Sequence, residues 1–180
     1  MRRLTLLALG TVLMWPGSLT AQAVPASSDS LLASATRFVE AFYGWYLAQL
    51  DTAWWVAVED RSAVFAPELL SALRIDMEAQ ANNPEYIVGI DADPFLASQD
   101  PCATYHVGPA RREGAAILVD VRGDCYGDHD TRPDVVAELA GSPSSWVFVN
   151  FRYPQLDLDL MKWLSALRRA RDKNPVRAAA

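Results

Sequence analysis

Trp146-Val147-Phe148-Val149-Asn150-Phe151-Arg152-Tyr153 decides the fold class. Aromatic and β-branched side chains dominate it, and such residues favour a pleated, half-buried strand. A period of two puts Val147, Val149, Phe151 and Tyr153 on one face and Trp146, Phe148, Asn150 and Arg152 on the other. Pro154 ends the run, because proline brings no backbone donor. Upstream, Ala115 to Val121 (AAILVDV) is a second strand, with Ile117, Val119 and Val121 alternating against Leu118 and Asp120. Tyr105-His106-Val107 is read as its hairpin partner, joined through Arg111-Arg112-Glu113-Gly114. Val135 to Leu139 is a third strand in chain order, and Gly141-Ser142-Pro143-Ser144 turns it into the last.

The first half has a helical period instead. Ser28 or Asp29 can cap a helix from about Ser30 to Leu50. Its apolar face runs Leu31, Ala35, Phe38, Phe42, Trp45 and Gln49, widened by Val39 and Tyr46. Gly44 inside it costs helix stability, which close packing against another element would explain. Thr52 to Arg61 is helical or a turn-rich connector. Its adjacent Trp54 and Trp55 must face different ways, one to the core and one to a surface or mouth. Pro67 opens a helix to about Ala81, buried through Leu69, Leu70, Leu73, Met77 and Ala81 and stopped by Asn82-Asn83-Pro84. A terminal helix carries Leu160, Trp163, Leu164 and Leu167. Helices followed by antiparallel strands make an α+β fold: a long N-terminal helix and a second helix on a curved four-stranded antiparallel sheet, plus a C-terminal helix.

The first 23 residues have the pattern of a secretory signal peptide. Arg2 and Arg3 are followed by an uncharged stretch from Leu4 to Trp15, and Ala21-Gln22-Ala23 offers a cleavage site. Such a stretch spans about 18 Å as a helix, short of the roughly 30 Å bilayer core, so no transmembrane anchor is expected after cleavage. Residues 24–30 form a linker, 31–173 one domain, and 174–180 a disordered tail. A periplasmic or secreted location follows. There Cys102 and Cys125 would pair as a disulfide, closing a loop of about 24 residues that contributes roughly 3.5 kcal/mol. His106 and His129 each follow a cysteine by four residues, but on strand or loop this spacing separates them. It argues against a catalytic thiol or a zinc site.

The chain has 16 Lys+Arg and 22 Asp+Glu, a net charge of −6. Six cations gather near the C-terminus as Lys162, Arg168, Arg169, Arg171, Lys173 and Arg177, read as a solvated helix end, with contact to an anionic membrane or an acidic partner as the alternative. The remaining body is acidic, which disfavours a nucleic-acid partner. No nucleotide-binding, hydrolase-elbow or metalloprotease motif is present, and no cofactor is implied.

Three groups of residues are candidate sites. Gly89 to Asp100 (GIDADPFLASQD) gathers Asp91, Asp93, Gln99 and Asp100 around Phe95. Paired carboxylates can share a proton or bind calcium. The structural alternative makes Asp93-Pro94 a helix start, with Phe95 and Leu96 plugging the core. Asp124, Asp128, Asp130 and Asp134 form an acidic loop without the order of an EF-hand. Tyr43, Trp54 and Trp55 are candidate ligand-contacting aromatics.

Phe38-x-x-x-Phe42-Tyr43-x-Trp45-Tyr46-Leu47, Phe65-x-Pro67-x-Leu69-Leu70, Asp93-Pro94-Phe95-Leu96-x-x-Gln99-Asp100 and Trp146-x-Phe148 resemble a bacterial family of secreted proteins known only as a domain of unknown function. That family is similar to the cystatin-like cone fold of nuclear transport factor two. The resemblance implies a cone-like domain over residues 31–165 and leaves the activity open. The expected function is a non-enzymatic, exported domain of the cell envelope that binds a partner protein or small ligand. The alternatives are a carboxylate-dependent enzyme, with an Asp in an aromatic pocket, and a secreted inhibitor or immunity protein with an acidic docking surface. Exposure of Trp146 and Phe148 would indicate a homodimer through the sheet.

Overall fold

The computed structural model describes residues 28–49, 53–125 and 132–173. The signal-like segment, most of the 24–30 linker, residues Asp128, His129 and Asp130, and the tail 174–180 lie outside the described residues, while Ser28 and Asp29, read as caps, are already helical. Four α-helices and five strands follow in order: α1 (Ser28–Leu47), α2 (Trp54–Asp60), a 3-10 turn (Ser62–Val64), α3 (Pro67–Ala81), β1 (Thr104–Glu113), β2 (Ala116–Asp124), β3 (Val135–Ala140), β4 (Val147–Tyr153), β5 (Leu158–Asp159) and α4 (Leu160–Lys173). The α+β class is as read. The sheet has five strands rather than four, in the order β1-β2-β3-β4-β5, all antiparallel. The extra strand arises because the chain turns back after Pro154 and pairs Tyr153 with Leu158 and Arg152 with Asp159. The extra helix is α2, where the connector around Trp54 coils fully.

The decisive strand departs from simple alternation. Glu138 pairs with Asn150 and Leu139 with Phe148, leaving Val149 as a bulge. One extra residue shifts the alternation, so Phe148 and Phe151 both join the core, stacked at 5.0 Å. The sequence period had put them on opposite faces. Trp146 and Phe148 are 7% and 0% exposed, so the feature that would have indicated a dimer face is buried. The Trp146 indole donates to Ser34 of α1 at 3.0 Å. The opposite sheet face is charged instead: Arg152 bridges Glu138 (3.0 Å) and Glu113 (2.6 Å), and Arg111 pairs with Asp120 at 2.5 Å. Their stems lie over a face on which Leu118 and Val136 are buried.

The β1–β2 hairpin also differs. Arg111, Arg112 and Glu113 are strand residues paired with Leu118, Ile117 and Ala116, so the turn is only Gly114-Ala115, with Gly114 at φ +61°. Gly108-Pro109 forms an irregularity where Val107 pairs with Val121 and Ala110 with Val119, a position that tolerates the missing donor of proline. Thr36 of α1 accepts the Ala110 amide there at 2.9 Å.

α1 lies across β1 and β2 and buries Ala35, Val39, Phe42, Tyr43 and Tyr46. Its buried stripe is therefore rotated toward Tyr43 relative to the sequence reading. Gly44 faces solvent, and nothing would come within 4 Å of a β-carbon placed there. Close packing does not explain it. On α3, Ala81 is exposed and the third buried position is Asp76. Gly44→Ala is expected to stabilise the protein by about 0.5–1 kcal/mol in urea unfolding, since only helix propensity changes. A loss of stability would mean that this face of α1 is covered.

Candidate functional site

The Gly89 to Asp100 segment is tied into the body by three tyrosines. The Tyr43 hydroxyl donates to the Phe95 carbonyl at 2.7 Å, and the Tyr153 hydroxyl donates to the Pro94 carbonyl at 2.9 Å. The Tyr46 hydroxyl donates to Asp93 Oδ2. Asp93 Oδ1 accepts the amides of Phe95 (2.8 Å) and Leu96 (3.1 Å), and its own amide donates to the Ser98 carbonyl at 2.8 Å. Asp93 thus caps a tight turn; no helix follows it. Phe95 is fully buried, with its ring 5.5 Å from Phe42, 5.6 Å from Phe65 and 5.2 Å from Phe151. Asp91 and Asp100 face solvent, and Gln99 donates back to the Asp91 carbonyl at 3.1 Å.

Burial pushes the Asp93 carboxyl up from 3.8, against the opposing pull of the Tyr46, Phe95 and Leu96 donors. Burial likewise raises Tyr43, Tyr46 and Tyr153, and in each case the Asp93 charge adds to it.

The cysteines are joined as Cys102–Cys125, with Cα atoms 4.9 Å apart, so neither is a free thiol or thiolate ligand. The bridge ties the start of β1 to the end of β2. Of the acidic loop, Asp134 accepts the Gly123 amide at 2.6 Å and the Gln155 amide at 3.1 Å. Among the described residues no three His, Cys, Asp or Glu come together as a metal site, and no helix is long and apolar enough to cross a membrane.

Trp54 and Trp55 lead to an apolar cleft. As adjacency requires, they diverge: Trp54 is 9% exposed and Trp55 51%. Their rings meet at 79° with centroids 5.9 Å apart. They line a cleft of about 480 Å³ with Met77, Gln80, Ala81 and Ile90, flanked by Glu59, Arg74, Asp76 and Glu78. That volume suits a small organic ligand. Tyr43 and the Asp91–Asp100 group do not line it.

Asp76 fixes one wall of the cleft. It is 1% exposed, accepts the Ile90 amide at 2.8 Å through Oδ2, and pairs through Oδ1 with Arg171 of α4 at 2.5 Å. Arg171 also donates to the Val88 carbonyl at 2.8 Å. One cation of the basic C-terminal end is therefore an internal partner and not part of a solvated face. A β-carbon on Gly89 would stand 2.7 Å from Asp76 Oδ2, so glycine lets the 88–90 backbone close onto the carboxylate. Gln80 completes the wall. Its amide nitrogen donates to the Tyr86 carbonyl (2.8 Å) and the Asn83 carbonyl (3.2 Å), and its oxygen accepts the Val88 (3.0 Å) and Gly89 (3.1 Å) amides. Sequence reading missed Asp76. The signal was there in its spacing from Leu69 and Leu73, which puts a carboxylate on the buried stripe of α3.

Fold and cleft together describe an α+β domain with an aromatic cleft between α2, α3 and the 88–90 segment. Compared with family models, curated proteins and solved structures, the chain finds no match.

Two outcomes follow. With its pKa raised in the folded state, Asp93 holds its proton to higher pH when folded than when unfolded. From pH 3.8 up to that raised value the folded state binds more protons, so this group's contribution to stability falls as pH rises. Asn at this position keeps the acceptor for Phe95 and Leu96 and offers a donor to the Tyr46 oxygen. The stability difference between the parent protein and Asp93→Asn should therefore shift against the parent across this window and level off above it. A flat difference in acid-range unfolding would overturn the assignment. Separately, Arg171→Met strands a buried carboxylate and should cost about 3–5 kcal/mol, while adding Asp76→Leu should recover much of it. Additive losses in the double variant would refute the pairing.

Proposed function

We propose that this protein is an exported, non-enzymatic binding domain of the bacterial cell envelope that takes a small ligand in the Trp54–Trp55 cleft. The observation that carries the reading is the half-exposed Trp55 at the mouth of an apolar cleft whose wall is built by backbone amides donating to Gln80 and Asp76. A large aromatic left at a concavity is what a binding site needs before its ligand arrives. The signal-like N-terminus, the disulfide and the resemblance to a secreted cone-fold family support export and fold family.

The carboxylate-enzyme alternative draws on Asp93, whose proton affinity is raised by burial. Against it, both Asp93 oxygens are already hydrogen-bonded, and the residue lies outside the lining of the cleft. An acidic docking surface for a basic partner draws only on net charge.

A thermal-shift screen against divalent metals, sugars, lipids and metabolites tests the reading. A ligand at a hundredfold excess over its dissociation constant adds about 2.7 kcal/mol of stability. A shift that Trp55→Ala abolishes and Asp93→Asn retains is expected. A shift lost only in Asp93→Asn would favour the enzyme, and no shift across the panel would overturn the small-ligand reading.

A further inference from the structure

We infer that the Trp54–Trp55 cleft takes an organic cation with an apolar body, of the alkylammonium class. The inference rests on the ligand-binding reading above and assigns the ligand chemistry. Most polar side chains of the cleft already have partners. Arg74 is held by Glu59 through two bonds, of 2.9 and 2.7 Å. Asp76 is held by Arg171 and the Ile90 amide. The Gln80 amide has all its partners in the 83–89 loop. Glu78 alone among these polar groups makes no ion pair or side-chain hydrogen bond among the described residues.

Each ligand class meets this inventory differently. A sugar needs several donors and acceptors at once, and the cleft adds only indole N–H groups to one free carboxylate. An anion finds no free cation, since Arg74 is already neutralised, and it meets Glu78. A neutral apolar molecule is accommodated by Met77, Ala81 and Ile90 but leaves Glu78 unused. A weakly hydrated cation uses the apolar floor, the indole face and the carboxylate together. Its alkyl or aryl body rests on the apolar floor. Its charge sits against the exposed face of the Trp55 indole, with a carboxylate at the rim. The chain already shows the affinity of its indoles for cations: the Arg61 guanidinium lies 4.5 Å over the Trp45 ring. Trp55, half exposed, offers the same surface to a guest.

Three probes of matched body separate the classes: benzyltrimethylammonium, benzyl alcohol and phenylacetate, titrated calorimetrically into the purified protein at fixed ionic strength. The cation is expected to bind about tenfold tighter than the other two. Trp55→Ala should abolish that preference. Glu78→Gln should weaken the cation alone and flatten its salt dependence. Both positions are exposed, so both variants should fold, which a thermal melt checks. Benzyl alcohol binding as tightly as the cation, with the same Trp55 dependence, would overturn the charge assignment and leave the cleft as a binding site. Cation binding indifferent to Trp55→Ala would place it elsewhere and overturn the inference. Failure of all three probes would overturn it too, while a Trp55-dependent shift in the wider screen would keep the ligand-binding reading.

Discussion

Between the end of α3 and the start of β1 the chain runs for more than twenty residues with no helix or strand, and its middle is driven into the core. Burying irregular backbone strands its polar groups, each of which costs free energy unless it finds a partner. Tyr43, Tyr46 and Tyr153 solve this. Their rings fill core volume, and their hydroxyls reach the Phe95 carbonyl, the Asp93 carboxylate and the Pro94 carbonyl. With those groups satisfied, Phe95 can sit among Phe42, Phe65 and Phe151, and α1 is locked to β4 through a loop that belongs to neither. The tyrosines are therefore anchors. An aromatic-rich helix such as α1 need not signal a ligand when its hydroxyls are consumed inside.

The same constraint explains how the cleft comes to exist. The chain from Asn83 to Ile90 must travel from the end of α3 back to the core without regular structure. Gln80 and Asp76, one helical turn apart, collect its amides on one side of α3. Arg171 then balances the buried Asp76 charge and takes the Val88 carbonyl. The wall this produces is hydrogen-bonded and polar on its back. Its front is left to Ile90, Met77 and the tryptophans.

Much of the architecture was legible in the sequence. α3 has the bounds its Pro67 start and Asn82-Asn83-Pro84 stop imply, and the strand runs at β2, β3 and β4 lie where alternation puts them. Asp93-Pro94 reads as a cap and Phe95-Leu96 as a plug, and both roles hold in outline although a turn replaces the helix start. The failures share a cause. The bulge at Val149 is set by distant partners: β3 pairs across it, Ala66 just before α3 donates to the Phe148 carbonyl at 2.8 Å beside it, and no local period registers those contacts. The Asp76–Arg171 pair spans almost a hundred residues, so its halves look like an ordinary surface acid and a solvated helix end.

The candidate site divides along the same line. Trp54 and Trp55 could be singled out because adjacency on a helix forces one of two large rings outward, a purely local argument. That Asp91, Asp93 and Asp100 stand apart from those rings is a matter of tertiary placement, and composition cannot reveal it. The acids looked chemical because they cluster in sequence. In the fold, Asp93 spends its oxygens on a turn and a tyrosine, while Asp91 and Asp100 face water. The carboxylate our inference turns on is the inconspicuous Glu78, whose side chain has neither a cap to make nor a cation to hold among the described residues. A site is recognised here by what the fold leaves unspent: one indole surface and one charge, next to a cavity, after every neighbouring polar group has found its partner.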